Sequence, residues 1–190
     1  MSSNAYRRPP EEIDMVAAER AIRRDTTLAM IIALTGFLAA YWIVPQMIMR
    51  IPTVTSDRLA FAATCWAVPC FVLLIAITMV STARRFSPAD IGGQAARPPS
   101  DRLAIKAAFL QNTLEQTVLA GGFYFALAAV AGGPWLALLP VAALLFIVGR
   151  VLFYRGYDRG VEGRSLGMTL TMMPSVLGYP LVAGLALFAR

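Results

Sequence analysis

The sequence contains no histidine, and only 15% of its 190 residues are charged. It therefore lacks the side chain that most often serves as a general base or a metal ligand near neutral pH. Cysteine is scarce as well, with two residues, Cys65 and Cys70, five positions apart. On a helix they point about 140° away from each other, so they cannot bridge within it and show no metal-site spacing. We expect no metal site, and we interpret both thiols as small apolar side chains.

Apolar residues are abundant and make up 58% of the sequence. The uncharged runs are 26–49, 59–83, 116–149 and 165–189. A helix needs about 20 predominantly apolar residues to cross a bilayer, so the third run can supply parts of two helices. Dividing it at Gly132-Gly133-Pro134 predicts five spans, at 27–49, 59–83, 103–131, 135–156 and 165–189. Because these runs are too long for barrel strands, the sequence predicts an all-α integral membrane bundle.

Positive charges are divided unequally between the two ends of these spans. Of the 17 lysines and arginines, 14 fall before the first span, or in and beside the connections from the second span to the third and from the fourth to the fifth. Cytoplasmic loops hold the excess of Lys and Arg, so we expect a cytoplasmic N-terminus. The net charge of +6 then indicates topology and attraction to anionic membrane lipids rather than nucleic-acid binding. The arginine-rich, lysine-poor composition favours a bacterial inner (plasma) membrane.

Residues 1–26 are expected to form a cytoplasmic segment before the first span. The run Pro9-Pro10-Glu11-Glu12 predicts a helix start, and the apolar residues just after it form a narrow stripe. We interpret this segment as a short amphipathic helix on the membrane surface; the alternative is a solvated helix. Residues 27–50 would then be an additional transmembrane helix, and residues 58–190 a domain of four helices.

Polar residues inside the third and fourth spans predict a buried contact. Asn112 and Glu115 are three positions apart and share a helical face. If Gly132-Gly133-Pro134 is the turn of a helical hairpin, Glu115 lies 17 residues before Gly132 and Arg150 lies 17 residues after Gly133. At about 1.5 Å per residue the two charges reach the same depth, so we predict that they pair. Such a pair can be structural or can contact a ligand.

A second polar face is predicted at the end of the fourth span. Arg150, Tyr154 and Tyr157 follow an i, i+4, i+7 spacing, which would place a cation and two phenols on one side of a helix. The glycines that follow weaken the helix and allow Arg164 to fold back toward this face.

Three motifs are the loop Ala83–Pro88, the pair Asn112-x-x-Glu115, and the arginines, tyrosines and glycines between Gly149 and Arg164. Together they resemble the MAPEG family, the membrane-associated proteins of eicosanoid and glutathione metabolism. The resemblance covers roughly residues 60 to 190. It implies a four-helix MAPEG-like core that assembles as a homotrimer and binds glutathione between neighbouring subunits. The first span would be an addition to that core.

The resemblance also implies roles for individual residues. Arg164 is expected to be catalytic, because a fixed guanidinium in a low-dielectric site favours the thiolate that glutathione needs for attack. The glutathione-binding residues implied by the family pattern are Arg84, Asn112, Glu115, Arg150, Tyr154 and Tyr157.

The sequence departs from the family pattern at three positions, and two functional hypotheses follow. Ala108 stands where catalytic members carry an arginine, Gln116 replaces an aromatic residue, and Phe153 replaces a tyrosine. The first hypothesis is a glutathione-dependent transferase or peroxidase that acts on lipophilic electrophiles or lipid hydroperoxides. The alternative is a non-catalytic membrane scaffold or lipid-binding subunit of a larger complex, which would keep the fold without the chemistry.

Overall fold

The computed structural model describes residues 14–47, 52–93 and 98–188, with side chains described except at 44–47. Five α-helices make up nearly all of this part of the chain: α1 Met15–Met47, α2 Thr55–Arg85, α3 Asp101–Val130, α4 Leu138–Arg155 and α5 Gly160–Phe188. Two short 3-10 helices, Gly133–Ala137 and Tyr157–Arg159, lie before and after α4. Within the described residues, five helical segments are long and apolar enough to cross a membrane. The predicted all-α membrane bundle is therefore confirmed.

Helix α1 is longer than the predicted first span. The Asp14 side chain accepts hydrogen bonds from the backbone N–H groups of Val16 and Ala17, at 3.0 and 3.1 Å, and so caps the helix at its start. The predicted start at Pro9–Glu12 lies outside the described residues. From Met15 onward, the segment expected to be a separate short helix is continuous with the span. No glycine or proline interrupts the helix between them, so nothing in the sequence ends it there.

The helices pack as two pairs, α2 with α3 and α4 with α5, and α1 lies against α5 and α4. The largest cluster of buried apolar residues joins α3 and α4 to α2 and α1, and Phe123, Leu127 and Phe146 at its centre are at most 1% exposed. The turn between α3 and α4 contains Gly133 at φ +61° and a full turn of 3-10 helix. It is therefore longer than the predicted tripeptide turn, and α3 and α4 contact each other only sparsely.

Glycines bring α4 and α5 into backbone contact. A Cβ atom added at Gly156 would overlap the Gly163 carbonyl, and one added at Gly167 would overlap the Phe153 backbone. Small residues at a membrane helix interface allow this close approach. Gly160, at φ +74°, makes the bend from which α5 starts. The last turns of α4 and the first turns of α5 are thus held side by side.

Candidate functional site

Arg150 lies at the centre of a buried polar cluster and is only 1% exposed. Its Nε donates to Thr171 Oγ1 at 3.0 Å, and its Nη1 donates to Asn112 Oδ1 at 2.5 Å. The guanidinium also lies 4.7 Å from the centroid of the Phe153 ring. A buried cation needs such partners, because an unsatisfied charged donor is costly in an apolar interior. Arg150 therefore joins α3, α4 and α5.

The predicted pair between Glu115 and Arg150 is wrong. Glu115 is exposed and accepts a hydrogen bond from Gln111 Nε2 at 3.0 Å, and it forms no ion pair with Arg150. Equal distance from a turn fixes the depth of two residues but not the direction in which their side chains point. Asn112 is the residue of α3 that faces Arg150, while Glu115 is turned to the outer surface of the helical bundle.

Arg164 and Tyr157 meet at the α4–α5 turn. The guanidinium of Arg164 lies 4.8 Å from the centroid of the Tyr157 ring, and that ring packs edge-on against Phe153 at 5.7 Å. The expected folding back of Arg164 is confirmed. Among the described residues no carboxylate pairs with the Arg164 guanidinium, so its charge is available to an anion.

Beside Arg164 is a cavity of about 400 Å³, called here the Arg164 pocket. Its polar lining comes from Asn112, Tyr157, Arg164, Ser165 and Thr169. Its remaining lining residues are Ile22, Ala108, Phe153, Val161 and Met168. The pocket therefore offers one cation, several neutral hydrogen-bonding groups and an apolar wall. No carboxylate is among the described residues that line it, so it favours a ligand with an anionic group and an apolar part.

Tyr154 lies on a different side of the bundle, and the prediction that it shares a face with Tyr157 is wrong. Tyr154 packs edge-on against Phe109 at 5.0 Å and lines a separate apolar groove of about 680 Å³ between α2 and α4. Helix α4 ends at Arg155, and Tyr157 belongs to the 3-10 turn that follows. The helical spacing used for the prediction does not continue as far as Tyr157.

Arg84 lies in the last turn of α2 and does not line the Arg164 pocket. Its Nε is buried and has no hydrogen-bond partner among the described residues. The structure thus brings together Asn112, Tyr157, Arg164 and, through Asn112, Arg150. It does not bring Arg84, Glu115 or Tyr154 into this pocket. Among the described residues no cluster of His, Cys, Asp or Glu could hold a metal ion.

The contribution of α1 to this site was not predicted from the sequence. Asp25 is 3% exposed and accepts a hydrogen bond from the Ser165 hydroxyl, which lines the pocket. It also pairs with Arg24 at 3.0 Å. The partners are 140 positions apart, so no local pattern could identify them. The single sequence feature that could have indicated this contact was the carboxylate of Asp25, which directly precedes the apolar run 26–49.

Comparison with known protein families decides the identity of this fold. A model of the MAPEG family matches residues 59–184, more than half of the chain. The chain belongs to the MAPEG family. The matched stretch contains α3, α4 and nearly all of α2 and α5, whereas α1 lies before it. No curated protein and no solved structure matches the chain.

The departures from the expected MAPEG pattern have structural consequences. Ala108 lines the pocket where an arginine was expected, so Arg164 is the one cation among the described residues of its lining. Gln116 is 4% exposed, and its Oε1 has no hydrogen-bond partner among the described residues. Phe153 separates Arg150 from Tyr157 and contacts both. The Phe153 ring therefore packs against both Arg150 and Tyr157 but, unlike the expected tyrosine, has no hydroxyl that could bind a ligand.

Proposed function

We propose that this MAPEG protein is a glutathione-dependent transferase or peroxidase that acts on lipophilic electrophiles or lipid hydroperoxides in the membrane. The observation that carries the proposal is Arg164, whose guanidinium lines the pocket and pairs with no carboxylate in the part of the chain that the structure describes. A thiol becomes a nucleophile only as the thiolate, and a neighbouring fixed cation favours that form. Bound glutathione would supply this thiolate, and Arg164 would be the residue that stabilises it.

The other lining residues fit the same ligand. Arg150 donates to Asn112 Oδ1, which leaves the amide NH₂ group of Asn112 available to a carboxylate or carbonyl of the bound ligand. The Tyr157 ring stabilises the position of the Arg164 guanidinium through a cation–π contact. The apolar lining at Val161 and Met168 suits the lipophilic part of a second substrate. Arg150 acts as a positioning residue, because its donors are bound within its own chain.

We also propose that the site is completed in a homotrimer. Gln111 and Glu115 are exposed near the middle of α3, where a carboxylate facing lipid would cost about 2.5 to 3.5 kcal/mol on insertion scales. A neighbouring subunit would cover them and could bring Arg84 to the pocket, in the place that Ala108 leaves without a cation. Native mass spectrometry in mild detergent tests the assembly, and a stable monomer would contradict it.

The test of the activity is glutathione binding to the detergent-purified protein, measured by calorimetry together with the ultraviolet absorption of the thiolate. We expect saturable binding and a thiolate signal, with Arg164→Ala losing the signal. Arg159→Ala is the matched control, because Arg159 is exposed in the same turn and does not line the pocket. Equal thiolate signals in both variants would contradict the role given to Arg164.

A second candidate is supported by Ala108 and by the groove between α2 and α4. The groove extends along α2 from Ala67 to Met79, roughly 18 Å at 1.5 Å per residue, with Arg155 among its lining residues. It suits an acyl chain with an anionic head, as expected of a lipid-binding scaffold for another membrane protein. Mass spectrometry of co-purified phospholipid should then show anionic lipid that Val151→Trp removes, while the protein binds no glutathione.

For the orientation we propose a cytoplasmic N-terminus in a bacterial inner membrane. The support is the excess of Lys and Arg at one end of the five helices. This orientation puts the α4–α5 turn and Arg164 at the cytoplasmic side, where a soluble thiol cofactor could reach the pocket. Reporter fusions at both termini test it, because five spans require the two termini to report opposite sides.

A further inference from the structure

Helix α1, which precedes the part of the chain matched by the family model, contributes to the Arg164 pocket. Ile22 is one of its lining residues and is still 42% exposed. The Ile22 side chain therefore lies at the edge of the cavity, where one side faces the cavity and the other is exposed at the protein surface. The residues matched by the family model begin only at position 59. The family core alone would leave this side of the pocket without Ile22.

Helix α1 is fixed at this position by both packing and polar contacts. Ala29 and Ala33 are fully buried, and they pack in a cluster with Leu170 and Met173 of α5. One turn after Ile22, the buried carboxylate of Asp25 accepts the Ser165 hydroxyl. The adjacent Arg24 pairs with the same carboxylate, so the charge of Asp25 is compensated.

The position of Ser165 makes this anchor relevant to the site. Ser165 lines the pocket and directly follows Arg164 on α5. Thr169, another lining residue, lies one turn further; its hydroxyl donates within α5, 3.0 Å from the Ser165 carbonyl, and it packs next to the Asp25 backbone carbonyl at 3.4 Å. The same contacts that hold α1 in place thus hold the wall of α5 that carries Arg164.

We propose that α1 is the specificity element of the Arg164 pocket. Ile22 limits the size of the apolar group that can enter beside Arg164, and Asp25 is the positioning residue that keeps Ile22 there. The pocket then selects amphiphiles with one anionic or thiolate end and a compact apolar part over those with bulky apolar groups. The inference rests on the proposed function only in that a ligand must enter this pocket.

The test measures access to the pocket and needs no knowledge of the ligand. A reporter thiol is placed by Val161→Cys, at a half-buried lining residue, in the full chain with Cys65→Ala and Cys70→Ala. The rates of labelling by N-ethylmaleimide and by the bulkier fluorescein maleimide are then compared in detergent. We expect Ile22→Ala to raise the fluorescein maleimide rate several-fold relative to the N-ethylmaleimide rate, and Ile22→Trp to lower it.

Ile31→Ala is the matched control, because Ile31 is 56% exposed on the same helix and is not among the lining residues of the pocket. It should leave the ratio of the two rates unchanged. Where Ile22→Ala lowers the yield of folded protein, Ile22→Val should shift the ratio in the same direction by a smaller amount. Equal ratios for the variants at positions 22 and 31 would overturn the proposal.

Asp25 is tested in the same reporter chain. Asp25→Ala removes the acceptor of the Ser165 hydroxyl and should raise the labelling ratio, whereas Asp25→Asn retains an acceptor oxygen and should restore much of the parent ratio. An unchanged ratio in Asp25→Ala would refute the positioning role.

These labelling rates are independent of glutathione. A lack of glutathione binding would therefore contradict the proposed function without contradicting the role of α1. In an active protein, Ile22→Ala should lower the KM for bulky acceptors more than the KM for compact ones.

Discussion

Arg150 and Arg164 belong to the same pair of closely packed helices, yet their surroundings are opposite. Arg150 is 1% exposed, and two of its donors are bound to Thr171 and Asn112 of its own chain. Arg164 lies over one aromatic ring and lines an open pocket. The first arginine holds three helices together, and the second lines a pocket with no carboxylate partner among the described residues. Sequence position and residue type alone do not distinguish these two roles.

The largest expected effect comes from the contact that holds both arginines in place. Gly167→Val would push a side chain into the Phe153 backbone, so we expect the free energy of unfolding in detergent to fall by about 3 kcal/mol or more. Gly184→Val is the control, because a Cβ at Gly184 meets no atom within 4 Å. If both variants unfold alike, α4 and α5 do not pack through this glycine.

A smaller effect is expected from breaking the Arg150 cluster. Asn112→Leu removes the acceptor of Nη1 and leaves a buried charged donor unpaired, which should cost about 1.5 to 3 kcal/mol of unfolding free energy. Asn112→Asp keeps an acceptor there and should cost much less. The measurement is denaturant unfolding in detergent. Gln111→Leu is the control, because Gln111 is an exposed neighbour that does not contact Arg150. An equal loss in this variant would show that the effect of Asn112→Leu does not come from its contact with Arg150.

Arg164 should affect stability far less than Arg150 does. Arg164→Met removes a cation–π contact with Tyr157, so we expect a loss of only about 0.5 to 1 kcal/mol in the same unfolding assay. Glutathione binding, in contrast, should be lost. A drop in stability as large as that of Asn112→Leu would remove the distinction between the two arginines.

The smallest expected quantity is the coupling between Glu115 and Arg150. Because their side chains have separate partners, the effects of Glu115→Gln and Arg150→Met should add to within about 0.5 kcal/mol in a double-mutant cycle. Recovery of stability in the double variant would instead show that Glu115 and Arg150 pair, as predicted from the sequence.

The sequence predicted the helices well and the side-chain contacts poorly, for a physical reason. A membrane span is set by the length of an apolar run, which can be read directly from the chain. The return of Arg164 toward Tyr157 followed from the glycines between them. Glu115 was assigned wrongly because depth in the membrane does not determine the direction of a side chain. Tyr154 and Tyr157 were wrongly assigned to one face because α4 ends at Arg155, two residues before Tyr157.

The contacts of α1 could not be predicted at all. Whether α1 lies against α5 or against another helix depends on small differences in surface shape, such as the buried alanines at 29 and 33. The hydrogen bond from Ser165 to Asp25 exists only after that choice is made. The Arg164 pocket was therefore predictable in its family core and not in the wall that Ile22 adds.

Because α1 packs against α5, the contact between Asp25 and Ser165 can form only late in synthesis. Ser165 leaves the ribosome 140 residues after Asp25, which at roughly 5 to 20 residues per second is on the order of ten seconds. During that time the nascent chain holds a carboxylate at the membrane without its final partner. Arg24 pairs with this carboxylate in the folded protein, and because the two residues are adjacent in sequence, the counter-ion of Asp25 is made before the last helix.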